Sequence, residues 1–181
     1  MSKKKQQVIK YAVFKIEPGF AGVCSTKKGI SLLVLPREEK EEVMAIIQKH
    51  AADYAKASSA ELEDDPGHFA DLKKDLAGYF NGKPADLEYT IDLSGYTPFQ
   101  SAVFTAARGI PYGETRSYRW IARKIGNPRG ARAAGQALKV NLLPLLVPCH
   151  RVIEEGGKIG GFSLGIRWKE RLLQLEGVLL T

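Results

Sequence analysis

Residues 149–151 set a cysteine, a histidine and an arginine side by side at the end of an apolar run, Leu142-Leu-Pro-Leu-Leu-Val-Pro-Cys-His-Arg-Val152. A thiol attacks as its thiolate, and the pKa of a free cysteine, about 8.5, is lowered by neighbouring histidine or cationic groups. Here those groups occupy the next two positions, so Cys149 is a candidate nucleophile and His150 a candidate base or proton relay. By residue type alone a cysteine in an apolar segment belongs to a core, and Cys24, which has no such neighbours, is read that way. A catalytic base needs an acid to orient it, and Glu176, at the end of a helix expected over 166–176 and just before Gly177, is an available carboxylate.

The elements that must position this segment lie upstream of it. Thr97-Pro-Phe-Gln100 carries a helix start, with Thr as N-cap, Pro at the first helical position and Gln completing a capping box. Phe99, Val103, Phe104 and Ala107 give that helix a buried face, and Ile110-Pro-Tyr-Gly113 breaks it. Ser117 caps a second helix, Tyr118 to Ile125, which ends at Gly126-Asn-Pro128, and a third runs from about Gly130 to Val140. Two short helices joined by a tight Gly/Asn/Pro turn form a helix-turn-helix pattern, whose second helix meets DNA. That helix, Ala131-Arg-Ala-Ala-Gly-Gln-Ala137, has small side chains and one Arg. Such a face suits close approach to a groove, or equally close packing on a neighbouring helix, and the charge around it decides for DNA.

The charge is unevenly spread. The 181 residues hold 27 Lys and Arg against 20 Asp and Glu, a net +7. Residues 1–90 balance 14 against 14, whereas 91–181 hold 13 against 6, so the whole excess sits in the second half. From Arg108 to Lys139 there are eight basic residues and one acid, Glu114, which points to an anionic, phosphate-bearing partner. With 44% hydrophobic residues the chain can bury a core, and two cysteines 125 positions apart exclude a disulfide framework. No apolar run approaches a membrane span, and Lys10, Lys15 and Glu17 break the N-terminal stretch that a signal peptide would need. A cytoplasmic protein is expected, nucleoid-associated in a prokaryote or nuclear in a eukaryote.

The first half reads as an α/β domain over 1–93, a small antiparallel sheet with helices. Tyr11–Phe14, Gly19–Cys24 and Ile30–Leu35 are its strands, and Pro36 stops the third. A helix is expected over Glu38–Ala57, then a loop over Ser58–Gly67. Phe69, Leu72, Leu76, Tyr79 and Phe80 mark a second helix that ends at Asn81-Gly82, and Leu87–Leu93 alternates as one more strand. The second domain, 97–181, is mainly helical and carries both the helix-turn-helix and the cysteine.

Pro148-Cys-His-Arg-Val152, preceded by Asn141 and by Gly126-Asn-Pro-Arg-Gly-Ala-Arg132, closely resembles the O6-alkylguanine-DNA alkyltransferase (methylated-DNA–protein-cysteine methyltransferase) family over residues 97–176. The first domain resembles the family's variable N-terminal domain in outline only. The resemblance implies DNA repair by direct reversal: an alkylated guanine in duplex DNA is flipped out and its O6-alkyl group passes irreversibly, once per molecule, to Cys149. His150 would act through a bound water as base, Glu176 would orient it, Asn141 would complete the hydrogen-bond chain, and Tyr118 would protonate a ring nitrogen of the departing guanine. Backbone groups of Cys149, Val152 and Ser163 would read the flipped base, with Gly160 and Phe162 in the same glycine-rich loop, Gly160-Gly-Phe-Ser-Leu-Gly165. Arg132 matches the finger that enters the base stack. Ala131, Gly135, Ser117, Arg129 and Lys139 would join it at the DNA, with the recognition helix in the minor groove, and Arg151 would support the site by hydrogen bonds.

Phe162 stands where many relatives carry Tyr, which leaves the range of alkyl sizes open. Some relatives bind a structural zinc in the first domain; Cys24, His50 and His68 lack the short spacing of zinc ligands, so no metal or cofactor is expected. A monomer on double-stranded DNA is expected, with no membrane partner. The alternatives are a non-catalytic sensor of alkylated bases, of the kind that carries Trp where this chain has Cys149, a helix-turn-helix regulator, and a Cys–His–Asn hydrolase, which would turn over and would leave the basic helix pair unexplained.

Overall fold

In a computed structural model that describes residues 7–55, 60–85 and 87–179, the chain forms two compact units, one reaching Lys83 and including Leu87–Asp92, the other holding residues 84–86 and everything from Leu93 onward. In the first unit the alternating apolar residues form β1 (Gln7–Ile16), β2 (Gly19–Thr26) and β3 (Gly29–Arg37), an antiparallel meander. The β2–β3 turn requires glycine: Gly29 has φ +132°, and a Cβ there would lie 2.5 Å from the Thr90 carbonyl oxygen. Helix α1 (Lys40–Ala55) lays Val43, Ile47 and Ala51 against Ile9, Cys24, Leu32 and Val34.

Three local expectations change. Pro36 does not stop the third strand but lies inside β3, which the sheet tolerates because β3 is an edge strand and needs no ladder bond from that position. A fourth strand, β4 (Ala60–Asp64), occupies part of the expected loop and pairs parallel with β1, so the sheet is mixed, in the order β3-β2-β1-β4. Ala60 and Leu62 pack partly buried against the core and the rest is exposed, too short an alternation in Ala-Glu-Leu-Glu-Asp to mark a strand. Leu87–Leu93 is not a strand: only Ile91 pairs, in one parallel bridge with Ile30. Side-chain bonds hold this segment instead, Tyr89 to Asp75 at 2.6 Å and Thr26 to Asp92 at 2.6 Å. Helix α2 (Ala70–Phe80) buries Leu72, Leu76, Tyr79 and Phe80, as their spacing predicts. The expected end of α1 at Ala57 lies outside the described residues.

Cys24 is a core residue of this sheet, His50 faces the Ser31 hydroxyl at 3.0 Å, and His68 sits edge-on to Phe69 in a short 3₁₀ turn. Among the described residues no group of three His, Cys, Asp or Glu side chains is placed to hold a metal ion.

The second unit is mainly helical. Helix α3 (Pro98–Arg108) opens with the capping box, Gln100 N–H to Thr97 Oγ1 at 3.2 Å and Thr97 N–H to Gln100 Oε1 at 2.9 Å. After a two-residue strand, β5 (Arg116–Ser117), α4 (Tyr118–Lys124) starts on the Ser117 cap, with Trp120 N–H to Ser117 Oγ at 3.1 Å. Gly126, at φ +76°, turns the chain into α5 (Ala131–Lys139). Cys149–Arg151 forms a 3₁₀ turn that runs into β6 (Val152–Ile153), which pairs parallel with β5. Helix α6 (Ile166–Leu175) ends on Glu176 as its C-cap. Among the described residues no helix is long and apolar enough to cross a membrane.

Candidate active site

The apolar segment before the cysteine doubles back on itself. Leu145 takes a left-handed φ of 71°, the Val147 N–H reaches the Leu143 carbonyl at 2.8 Å, and the chain returns Cys149 to Asn141, eight residues earlier. Asn141 is buried and uses its amide fully: Oδ1 accepts from Leu143 N–H at 2.9 Å, and Nδ2 donates to the Val147 carbonyl at 3.0 Å and to Cys149 Sγ at 3.1 Å. A left-handed leucine costs roughly 1–2 kcal/mol, which this buried hydrogen-bond set offsets.

His150 and Glu176 are fully buried side chains joined at 2.7 Å through Nε2 and Oε1. Arg151 grips the same carboxylate from Nε at 2.8 Å and Nη2 at 3.0 Å, and fixes itself to the Ile110 carbonyl from Nη1 at 2.7 Å. The Gly113 N–H adds a bond to Oε2 at 3.1 Å. Burial alone would raise the Glu176 carboxyl, but the hydrogen bonds and charges of His150 and Arg151 outweigh it and hold its pKa at about 2. Burial also lowers His150, against the pull of Glu176, so the imidazole is neutral at pH 7 and free to take a proton. The Cys149 thiol is pushed up by burial, with the Asn141 bond and the Lys169 charge working the other way. The resting site therefore holds a neutral thiol beside a neutral, carboxylate-oriented imidazole.

Lys169 has no signal in residue type, yet it is fully buried in this site. Its ammonium donates to the Val152 carbonyl at 2.6 Å and the Gly161 carbonyl at 3.3 Å, and lies 5.7 Å from the centre of the Tyr118 ring. Burial lowers its pKa to about 8. Position 169 stands three, four and seven residues before Leu172, Leu173 and Glu176, the spacing of one inward helix face, and that was the available clue. Tyr118 is raised by burial and by the charges of Cys149 and Glu154, which keeps its hydroxyl protonated. That hydroxyl donates to the Gly161 carbonyl at 3.4 Å.

Cys149 opens onto a cavity of about 360 Å³. Tyr118, Phe162 and Ser163 line it together with Ala131, Arg132, Gly135 and Lys139 of α5, so most of the expected pocket and DNA residues converge here. Asn141, bonded to the sulfur, and the His150–Glu176 pair are buried and do not line the cavity. Val152 is buried and Gly160 supports Tyr118 from beneath, while Gly161 takes the lining position. Ser117 is occupied as a helix cap, and Arg129 is exposed on the turn between α4 and α5. In the small-residue run of α5, Ala134 and Ala137 pack inward, while Arg132, Ala133, Gln136 and Lys139 face out. Sequence reasoning missed Lys169, Gln136 and Glu154, the last two lining the cavity.

The same stretch of chain is what known proteins share most closely. Residues 98–178 match the family model described as 6-O-methylguanine DNA methyltransferase, DNA binding domain. The methylated-DNA–protein-cysteine methyltransferase of Mycobacterium tuberculosis (strain ATCC 25618 / H37Rv) is 47% identical over 112 residues, 62% of this chain and 67% of that protein. The protein of the same name from Saccharolobus islandicus (strain L.S.2.15 / Lassen #1) is 35% identical over 168 residues, 93% of this chain and 95% of its own. The crystal structure of Mycobacterium tuberculosis OGT in complex with DNA superposes with a TM-score of 0.72 at 33% identity, covering 92% of each chain. A family match over residues 98–178, together with likeness that spans 93% of this chain in one relative, makes this chain a member of the methylated-DNA–protein-cysteine methyltransferase family.

Proposed function

We propose that this protein repairs DNA by taking the alkyl group from O6 of guanine onto Cys149, once per molecule. The observation that carries the reading is that one sulfur lines a cavity shared with the basic helix α5, while the next residue, His150, forms a buried imidazole–carboxylate pair with Glu176. The named activity of the relatives and the DNA bound to the Mycobacterium tuberculosis protein support it.

In the reaction the damaged guanine leaves the duplex and enters the cavity, and Arg132 fills the gap in the stack, offsetting part of an unstacking cost of about a few kcal/mol. His150 takes the thiol proton through a bridging water, with Glu176 steadying the imidazolium that forms. The Sγ–carbon bond forms as the carbon–O6 bond breaks, and the electron pair passes into the purine. Tyr118 donates its hydroxyl proton to a ring nitrogen, so a neutral guanine departs; the imidazolium and phenolate left behind neutralise through solvent. Backbone groups of Cys149, Val152 and Ser163 hold the base, and the Lys169 ammonium fixes the Val152 and Gly161 carbonyls and favours the thiolate. The product thioether is inert to hydrolysis, so the protein does not turn over. Arg129, Lys139 and Gly135 serve the DNA surface.

Intact-protein mass after mixing with excess duplex bearing one O6-methylguanine tests this. One methyl that maps to Cys149 is expected, and Cys149→Ala is expected to retain DNA binding with no transfer. An unchanged mass with tight binding would make the protein a damage sensor, and repeated turnover would make it a hydrolase.

A further inference from the structure

We propose that Glu154 makes the acceptor cavity selective by charge, disfavouring guanines whose O6 substituent is anionic relative to neutral ones of similar size. The inference rests on the acceptor reading above and concerns which adducts the same cavity takes.

Glu154 is the only carboxylate among the residues that line the cavity; the other charged ones, Arg132 and Lys139, are cationic and lie on α5. Its position is built rather than incidental. The Glu154 N–H donates to the Lys158 carbonyl at 2.9 Å and its own carbonyl accepts from Gly157 N–H at 3.3 Å, closing a turn in which Gly156 and Gly157 have φ +84° and +88°. The side chain then crosses Gly160: a Cβ there would lie 3.1 Å from Glu154 Cγ and 3.4 Å from the Tyr118 hydroxyl oxygen. The absent side chain at Gly160 thus leaves room for both the Glu154 stem and the Tyr118 hydroxyl at the cavity. The charge of that carboxylate is also felt by Tyr118 and Lys169, less strongly than their burial. Its neighbour Glu155 is directed elsewhere, towards Arg119 at 3.6 Å.

A carboxylate on a DNA-facing rim repels phosphate, a penalty common to every duplex whatever its lesion. Against an adduct that is itself a carboxylate it adds a second repulsion, present only when the base is in the cavity. Comparing two lesions in one duplex cancels the first term and isolates the second.

The experiment measures transfer rate constants at low salt for duplexes identical except for O6-methylguanine, O6-ethylguanine or O6-carboxymethylguanine, in the unaltered protein and in Glu154→Gln. Glu154→Gln is expected to raise the carboxymethyl-to-methyl ratio about three- to ten-fold, to leave the ethyl-to-methyl ratio unchanged, and to lose this effect as salt is added. An unmoved carboxymethyl ratio, with methyl transfer intact, would overturn the proposal alone; an ethyl ratio that moves by the same factor would replace charge with bulk and overturn it too. No methyl transfer by the unaltered protein would instead overturn the acceptor reading, and this inference with it.

Discussion

Each oxygen of Glu176 accepts two hydrogen bonds, from His150 and Arg151 on one side and from Arg151 and Gly113 on the other. Its carboxyl therefore titrates at about 2 instead of the ordinary 4.5. Between those values the unfolded chain binds a proton that the folded chain does not, so this contribution, about 3 kcal/mol, is complete above 4.5 and disappears as the pH falls towards 2. His150, lowered from 6.5, acts in the same direction from that pH downward. Urea unfolding at about pH 6 and about pH 3 should show a large loss of stability in the unaltered protein and a distinctly smaller one in Glu176→Gln; equal losses would mean that the bonds to Glu176 do not shift its titration. Cys149 and His150 were legible because adjacency of a thiol and a base is itself a chemical signal. Lys169 was not, since a lysine on a helix ordinarily snorkels to water, and only its shared face with Leu172 and Leu173 betrayed its burial.

Helix α5 carries the proposed recognition side chains on a backbone whose Ala134 and Ala137 are buried in the domain. Arg132 stands on its outer face, beside the cavity but apart from the buried Asn141, His150 and Glu176. Arg132→Ala should therefore slow transfer from duplex O6-methylguanine roughly ten-fold or more, while reaction with the free base O6-benzylguanine changes by less than about two-fold. Equal slowing of both reactions would remove the finger role. Elements with local punctuation were legible: the Thr97–Gln100 box, the Ser117 cap and the Gly126-Asn-Pro turn each satisfy backbone groups within a few residues. The pairing of Arg116 and Ser117 with Val152 and Ile153 was not, because two residues are too few to show a period and their partners lie 36 positions away. β4 and the side-chain-tethered segment at 87–93 failed for related reasons, one turning only Ala60 and Leu62 partly inward and the other having alternation without a ladder.

Over the whole molecule, the entire excess of positive charge belongs to the second half of the sequence, which also holds α4, α5 and the acceptor cavity. DNA affinity should accordingly fall at least about ten-fold between about 50 mM and 200 mM salt, as expected when several phosphates are neutralised by Lys and Arg; a flat dependence in a binding titration would count against a phosphate-facing surface. Division of labour was legible in that asymmetry, whereas the mixed sheet of the first unit was not, since parallel pairing of β4 depends on where α1 returns the chain. Asn141 bonds to the Cys149 sulfur inside the domain. If the proposed transfer occurs, that sulfur becomes a thioether and gains a carbon at a residue only 6% exposed. A used molecule is then expected to be softer than a fresh one, so that modest heat or a protease would distinguish exhausted copies from those still able to act.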